Sequence, residues 1–127
     1  MNKIKKINRM LSLSLILTIA VALFSITAYA LSFTKAIAPN TDASIGNTTM
    51  AAGETMRVTI TSNSENAPLS IFLLDSSGNV YASKRILNGT DTVILDPKLS
   101  SSKKMYIVIH NDSLAVATLL TGSYNIY

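Results

Sequence analysis

The chain contains one histidine, His110, and it stands beside Asn111 and Asp112. Nucleophilic catalysis needs a nucleophile, a base and a group that orients the base, all in contact. Serine is abundant, so composition alone does not exclude a Ser-His-Asp set. No serine, however, occupies the Gly-x-Ser-x-Gly elbow that would expose it as a nucleophile. His110 therefore reads as a surface imidazole next to a turn, and no catalytic residue is assigned. Paired carboxylates could act on a glycoside. The seven acids after residue 30 are dispersed, most of them in or beside turns, where capping and solubility account for them. A domain this small also offers little room for the cleft such chemistry uses.

Hard cations want several oxygen ligands. Asp75, Ser77 and Asn79 place alternating oxygens across one turn, a loose echo of a calcium loop. The run is short and has a single carboxylate, and an Asx-type turn explains the same residues. With one His and no Cys, a structural zinc site cannot be built. No cofactor is implied. Carbohydrate recognition often uses aromatic platforms. Here Trp is absent, and Tyr81 and Tyr106 are the candidates. If Val80 and Ala82 point inward, Tyr81 points outward; if Met105, Ile107 and Ile109 point inward, so does Tyr106. The plainer role for such tyrosines is cross-strand pairing on a sheet surface.

The elements that would carry these residues are strands. After residue 30 no long stretch has a helical period. Short runs rich in β-branched residues alternate instead with Gly, Asn, Asp, Ser and Pro clusters. Leu31 to Ile37 alternates. Residues 38–53 are small and polar, and only Ile45 to Met50 could form a short strand there. Met56, Val58 and Ile60 face one way while Arg57, Thr59 and Thr61 face the other. Leu69 to Leu74 is apolar on both faces, as a central strand would be. Asp75 to Asn79, with Gly78, is a tight turn into the strand from Val80. Met105 to His110 alternates again, and Gly122 separates two final strands. This pattern predicts an all-β chain, a single antiparallel β-sandwich of jelly-roll-like form. Residues 31–53 are expected as an N-terminal strand and polar tether, and residues 54–127 as the sandwich.

Residues 1–30 have a different character. Lys3, Lys5, Lys6 and Arg9 precede the apolar run Leu11 to Ala28, and Ala28-Tyr29-Ala30 is a small-x-small site. That order is a secretory signal peptide's. A retained spanning helix needs roughly 20 mostly apolar residues. Five Ser and Thr residues dilute this run, and the cleavage site favours removal. The formal charge of +4 resides in that basic head, because residues 31–127 carry seven basic against seven acidic side chains. Nucleic acid, which calls for a basic footprint, is not an expected partner. Membrane contact is not expected once the leader is removed. Without Cys the chain can be neither a lipoprotein nor stapled by disulfides. Cysteine-free export and a Lys-rich head are associated with Gram-positive bacteria.

From Gly53 onward the chain resembles the bacterial pre-peptidase C-terminal domain, a small jelly-roll-like sandwich at the ends of secreted enzymes. Gly53 to Ile60 resembles its opening strand. Leu69 to Ala82 resembles its central hairpin around an Asp-x-x-Gly-Asn turn, and Thr121 to Ile126 its closing Gly-x-Tyr strand. The strand from Lys104 to His110 lacks the aromatic-rich pattern usual there, and no catalytic domain precedes the module. The resemblance implies an accessory role. The expected function is a secreted, non-catalytic binding module, extracellular or cell-wall associated, for an extracellular glycan or an exported protein. The alternative is a structural subunit of an extracellular fibre or matrix. It would self-associate by donating Leu31 to Ile37 to a neighbour's sheet; the plainer reading pairs that strand within its own domain.

Overall fold

The alternations become eight strands: β1 Leu31–Ile37, β2 Asp42–Met50, β3 Met56–Asn63, β4 Leu69–Leu74, β5 Val80–Ile86, β6 Asp91–Leu95, β7 Lys103–Asn111 and β8 Thr118–Ile126. The computed structural model describes residues 30–127. The leader expected over residues 1–30 falls, Ala30 apart, outside them.

Two four-stranded sheets form, in the orders β1-β8-β3-β6 and β2-β7-β4-β5, with every pairing antiparallel. The first strand pairs with the last, the second with the seventh, the third with the sixth and the fourth with the fifth. That is a long folded hairpin rolled up on itself, the eight-stranded jelly roll. The sandwich anticipated from the alternation is therefore what the chain forms.

The inward side chains meet between the sheets. Met56, Val58 and Ile60 of β3 and Leu120 of β8 come from one sheet. Leu69, Ile71 and Leu73 of β4 and Met105, Ile107 and Ile109 of β7 come from the other, and all are buried. Each such side chain contributes about 1.5–3 kcal/mol by leaving water. Buried polar groups are satisfied. The Asn111 amide donates to the carbonyls of Ile37 (3.1 Å) and Val116 (2.8 Å), and Asn63 donates to those of Ala67 (2.9 Å) and Gly89 (3.0 Å).

Two expectations are corrected here. The tether expected over residues 38–53 is mostly β2, which pairs with β7 from Asp42↔His110 to Met50↔Lys103. The sandwich thus includes residues 31–53 as two of its eight strands. This strand reads as a linker because its residues are mostly small and polar, with a glycine, Gly46, in mid-strand. A Cβ on Gly46 would lie 2.1 Å from the Tyr124 hydroxyl, so the tyrosine of the opposite sheet supplies the volume β2 lacks. Gly122, read as a break between strands, lies inside the continuous β8 instead. A Cβ there would meet the Thr59 carbonyl oxygen at 2.1 Å and the Phe33 ring at 2.9 Å. The glycine permits close approach of neighbouring groups and ends nothing.

Candidate functional site

Registered pairing on the outer face of the second sheet brings distant polar residues into one row. Asp42 of β2 stands opposite His110 of β7, His110 opposite Ser70 of β4, and Ser70 opposite Arg85 of β5. An acid, an imidazole, a hydroxyl and a guanidinium thus cross the whole sheet. Asp112, just past β7, ties the row together. Its Oδ2 accepts from Ser70 Oγ (2.7 Å) and Arg85 Nε (2.9 Å), while its Oδ1 lies 3.8 Å from His110 Nε2. His110 Nδ1 is 2.6 Å from Asp42 Oδ1, and Nε2 is 3.2 Å from Asn40 Oδ1. Asp42 keeps 67% of its side chain exposed, His110 only 26%.

The next two rows are apolar at their centres, with Ser44, Asn47 and Ser83 on the edge strands. Val108 stands opposite Phe72, and Tyr106 opposite Leu74, which in turn faces Val80. A shallow concavity of about 420 Å³ runs across them, lined by Asp42, Phe72, Leu74, Val80, Val108 and His110. Val80 is 56% exposed. This is an apolar floor with an ionic rim at one end.

The chemistry available at the rim is that of a fixed charge-and-hydrogen-bond network. Asp42 orients His110 as a triad's acid would. Ser70, however, gives its hydroxyl hydrogen to Asp112 rather than to the imidazole, so nucleophile and base are not paired. Among the described residues, no three His, Cys, Asp or Glu side chains come together as a metal site.

The two candidate tyrosines lie on different faces. Tyr106 points outward, as the alternation of β7 implied. Tyr81 packs against the core instead. A bulge between Leu73 and Leu74 pairs Leu74 with Val80 but Leu73 with Ala82, which leaves Tyr81 as the extra residue. A bulge re-aims side chains in just this way; it puts Val80 outside and breaks the parity argument. No two-tyrosine platform forms. Each ring instead lies near a lysine ammonium, Lys103 5.6 Å from Tyr81 and Lys104 5.7 Å from Tyr106.

The calcium candidates Asp75, Ser77 and Asn79 do sit together, held by their own hydrogen bonds. Asp75 Oδ1 accepts from the backbone N–H of Ser77 and of Asn79, both at 2.9 Å, and Oδ2 accepts from the Asn79 side-chain amide at 3.0 Å. Gly78 takes φ +86° to close the loop. The Asn79 side-chain amide first, then its backbone N–H, hold the Asp75 carboxyl below its ordinary value. Ser77 and Asn79 turn hydrogens toward the carboxylate, the geometry of an Asx turn.

The sequence singles out His110 beside Asp112 but gives no local signal for Asp42, Ser70 or Arg85. Asp42 is 68 residues from His110, and only the β2–β7 register makes them neighbours.

No family model matches the chain, and no curated protein does. Among solved structures it is similar to the crystal structure of the Yersinia pseudotuberculosis-derived mitogen. That match has a TM-score of 0.50 at 14% identity, covering 77% of this chain and 86% of that chain. At that identity the likeness shows a shared sandwich fold alone.

Proposed function

We propose that this chain is an exported, non-catalytic binding module, that its contact surface is the outer face of the β2-β7-β4-β5 sheet, and that its partner is another exported protein. The observation that carries this is the apolar floor of Phe72, Leu74, Val80 and Val108 beside the row Asp42, His110, Ser70 and Arg85. Contiguous exposed apolar surface rimmed by polar groups is the usual mark of a protein contact. A glycan reading rested on paired tyrosines, and Tyr81 and Tyr106 on opposite faces withdraw that support. The Ser70 hydroxyl committed to Asp112 supports a binding role over a hydrolytic one. The resemblance to pre-peptidase C-terminal domains points to the same accessory role. Export rests on the basic head, apolar run and Ala-Tyr-Ala site of residues 1–30.

The test is a photo-crosslinking residue placed at Val80, on the floor, or at Thr92, on the opposite sheet, in the producing organism. Val80 should yield a discrete adduct with one exported protein, and Thr92 should not. An adduct from Thr92 alone, or from neither position, sinks the proposal.

A further inference from the structure

We propose that β1 is an exchangeable arm, traded between two copies of this chain so that each lends residues 31–37 to the β8 edge of the other. The arm lies at the edge of the first sheet and pairs with β8 alone. Of its seven residues only Ile37 is buried and only Phe33 half-buried. It is thus the strand that the core holds least. Its docking is nevertheless specific. Seven registered pairs run from Leu31↔Tyr124 to Ile37↔Thr118, and the Phe33 ring sits where a side chain on residue 122 would stand. A second copy's arm fits this edge with the same register and the same Phe33 contact, because it is the same segment. Exchange of an identical element needs no new interface and is a low-cost route to a dimer.

The connection to β2 is what has to open. Residues 38–41 carry the chain from the edge of one sheet to the edge of the other. Asn40 there takes φ 54°, in the left-handed region that asparagine adopts more readily than most residues. Pro39 followed by Asn40 at positive φ suits a tight turn, and Thr41 Oγ1 braces it by donating to the Ala38 carbonyl at 2.8 Å, so exchange has to open this turn. A clasp opposes opening: His110 holds Asn40 through Nε2 and Asp42 through Nδ1, one residue on either side of Thr41. The imidazole therefore guards the hinge in addition to rimming the concavity. The inference is independent of any partner at the second sheet's outer face, since β1 and β8 both belong to the first.

The chain has no cysteine, which makes the test clean. Thr34 and Thr121 are register partners across β1 and β8. The double variant Thr34→Cys, Thr121→Cys should close a disulfide within one chain, which reports that the arm docks. The two single variants are then mixed, opened briefly in mild denaturant, returned to native buffer and oxidised. Exchange predicts disulfide-linked dimers in the mixture, several-fold more than either variant forms alone. No excess of linked species in the mixture, with the internal bond still forming in the double variant, overturns it. His110→Ala in the same mixture should raise the linked fraction; an unchanged fraction removes the clasp.

Discussion

The two sheets are alike inside and unlike outside. Both inner faces are aliphatic and sulfur-bearing, with Met56 in one and Met105 in the other. The outer face of the first sheet is built of hydroxyls. Ser32, Ser123, Thr59 and Thr92 form one row across all four strands. Thr92 bonds Thr59 at 3.2 Å, and Thr61 lies 3.3 Å from Thr121. Exposed apolar residues there, Ile94 and Leu119, stand apart on different strands. The second sheet gathers apolar residues at the centre of adjoining rows, with the Asp42, His110 and Arg85 row at one end and Lys104 beyond Tyr106 at the other. One face is thus content in water. The other leaves apolar area open to solvent, and the proposed contact surface rests on this contrast.

If the inner faces are equivalent, their truncations should cost the same. Ile60→Ala in the first sheet and Ile107→Ala in the second should each lose about 2–5 kcal/mol, through lost burial and the cavity left behind. Chemical denaturation measures both, and a large gap between them would break the symmetry. Overpacking should come next. Gly122→Ala should cost about 1–3 kcal/mol, since the new methyl meets a backbone oxygen that cannot swing aside. Loss of β1 pairing in the same variant, seen by amide hydrogen exchange, would place the strain at Phe33.

Outer substitutions sharpen the contrast with smaller energies. Val80→Ser on the floor and Thr92→Ser on the hydroxyl face should each change stability by no more than about 0.5 kcal/mol. Only the first should abolish the photo-adduct described above, with the crosslinker then placed at neighbouring Leu74. Arg57→Ala should also cost well under about 1 kcal/mol, because its guanidinium lies over the Tyr127 ring 4.5 Å away at an exposed position. The smallest effect is a pH response. Asp75 has its carboxyl held below the ordinary value of 3.8. A depressed carboxyl stabilises the fold above that value, and the contribution fades as pH falls through the lower folded value. Acid titration of Asp75→Asn against the parent should show the parent losing slightly more stability below about pH 4. Equal slopes would refute the assignment.

What could be read in advance was local. The loop from Asp75 to Asn79 holds donors and acceptor within five consecutive residues, so its turn chemistry was legible. The alternation in β3 and β7 gave the inward set directly, Ile60 and Ile107 included. Long-range matters were not legible. The bulge that turned Tyr81 inward is a property of the β4–β5 register. β2 passed for a tether because Tyr124, far along the chain, fills the space beside Gly46. The row from Asp42 to Arg85 exists only once three strand pairs are in register.

The rolled hairpin also sets the order in which the chain can assemble. β8 lies between β1 and β3, so the first sheet lacks an inner strand until residues 118–126 are in place. The second sheet needs nothing beyond β7 and can close earlier. Contacts of such wide sequence separation slow folding, because loop-closure entropy is lost before they form. A nascent chain one strand short would hold a finished sheet whose inner face, Ile71, Leu73, Ile107 and Ile109, stays half-covered. That intermediate is open to proteases and to chaperones for as long as the nine residues of β8 are missing.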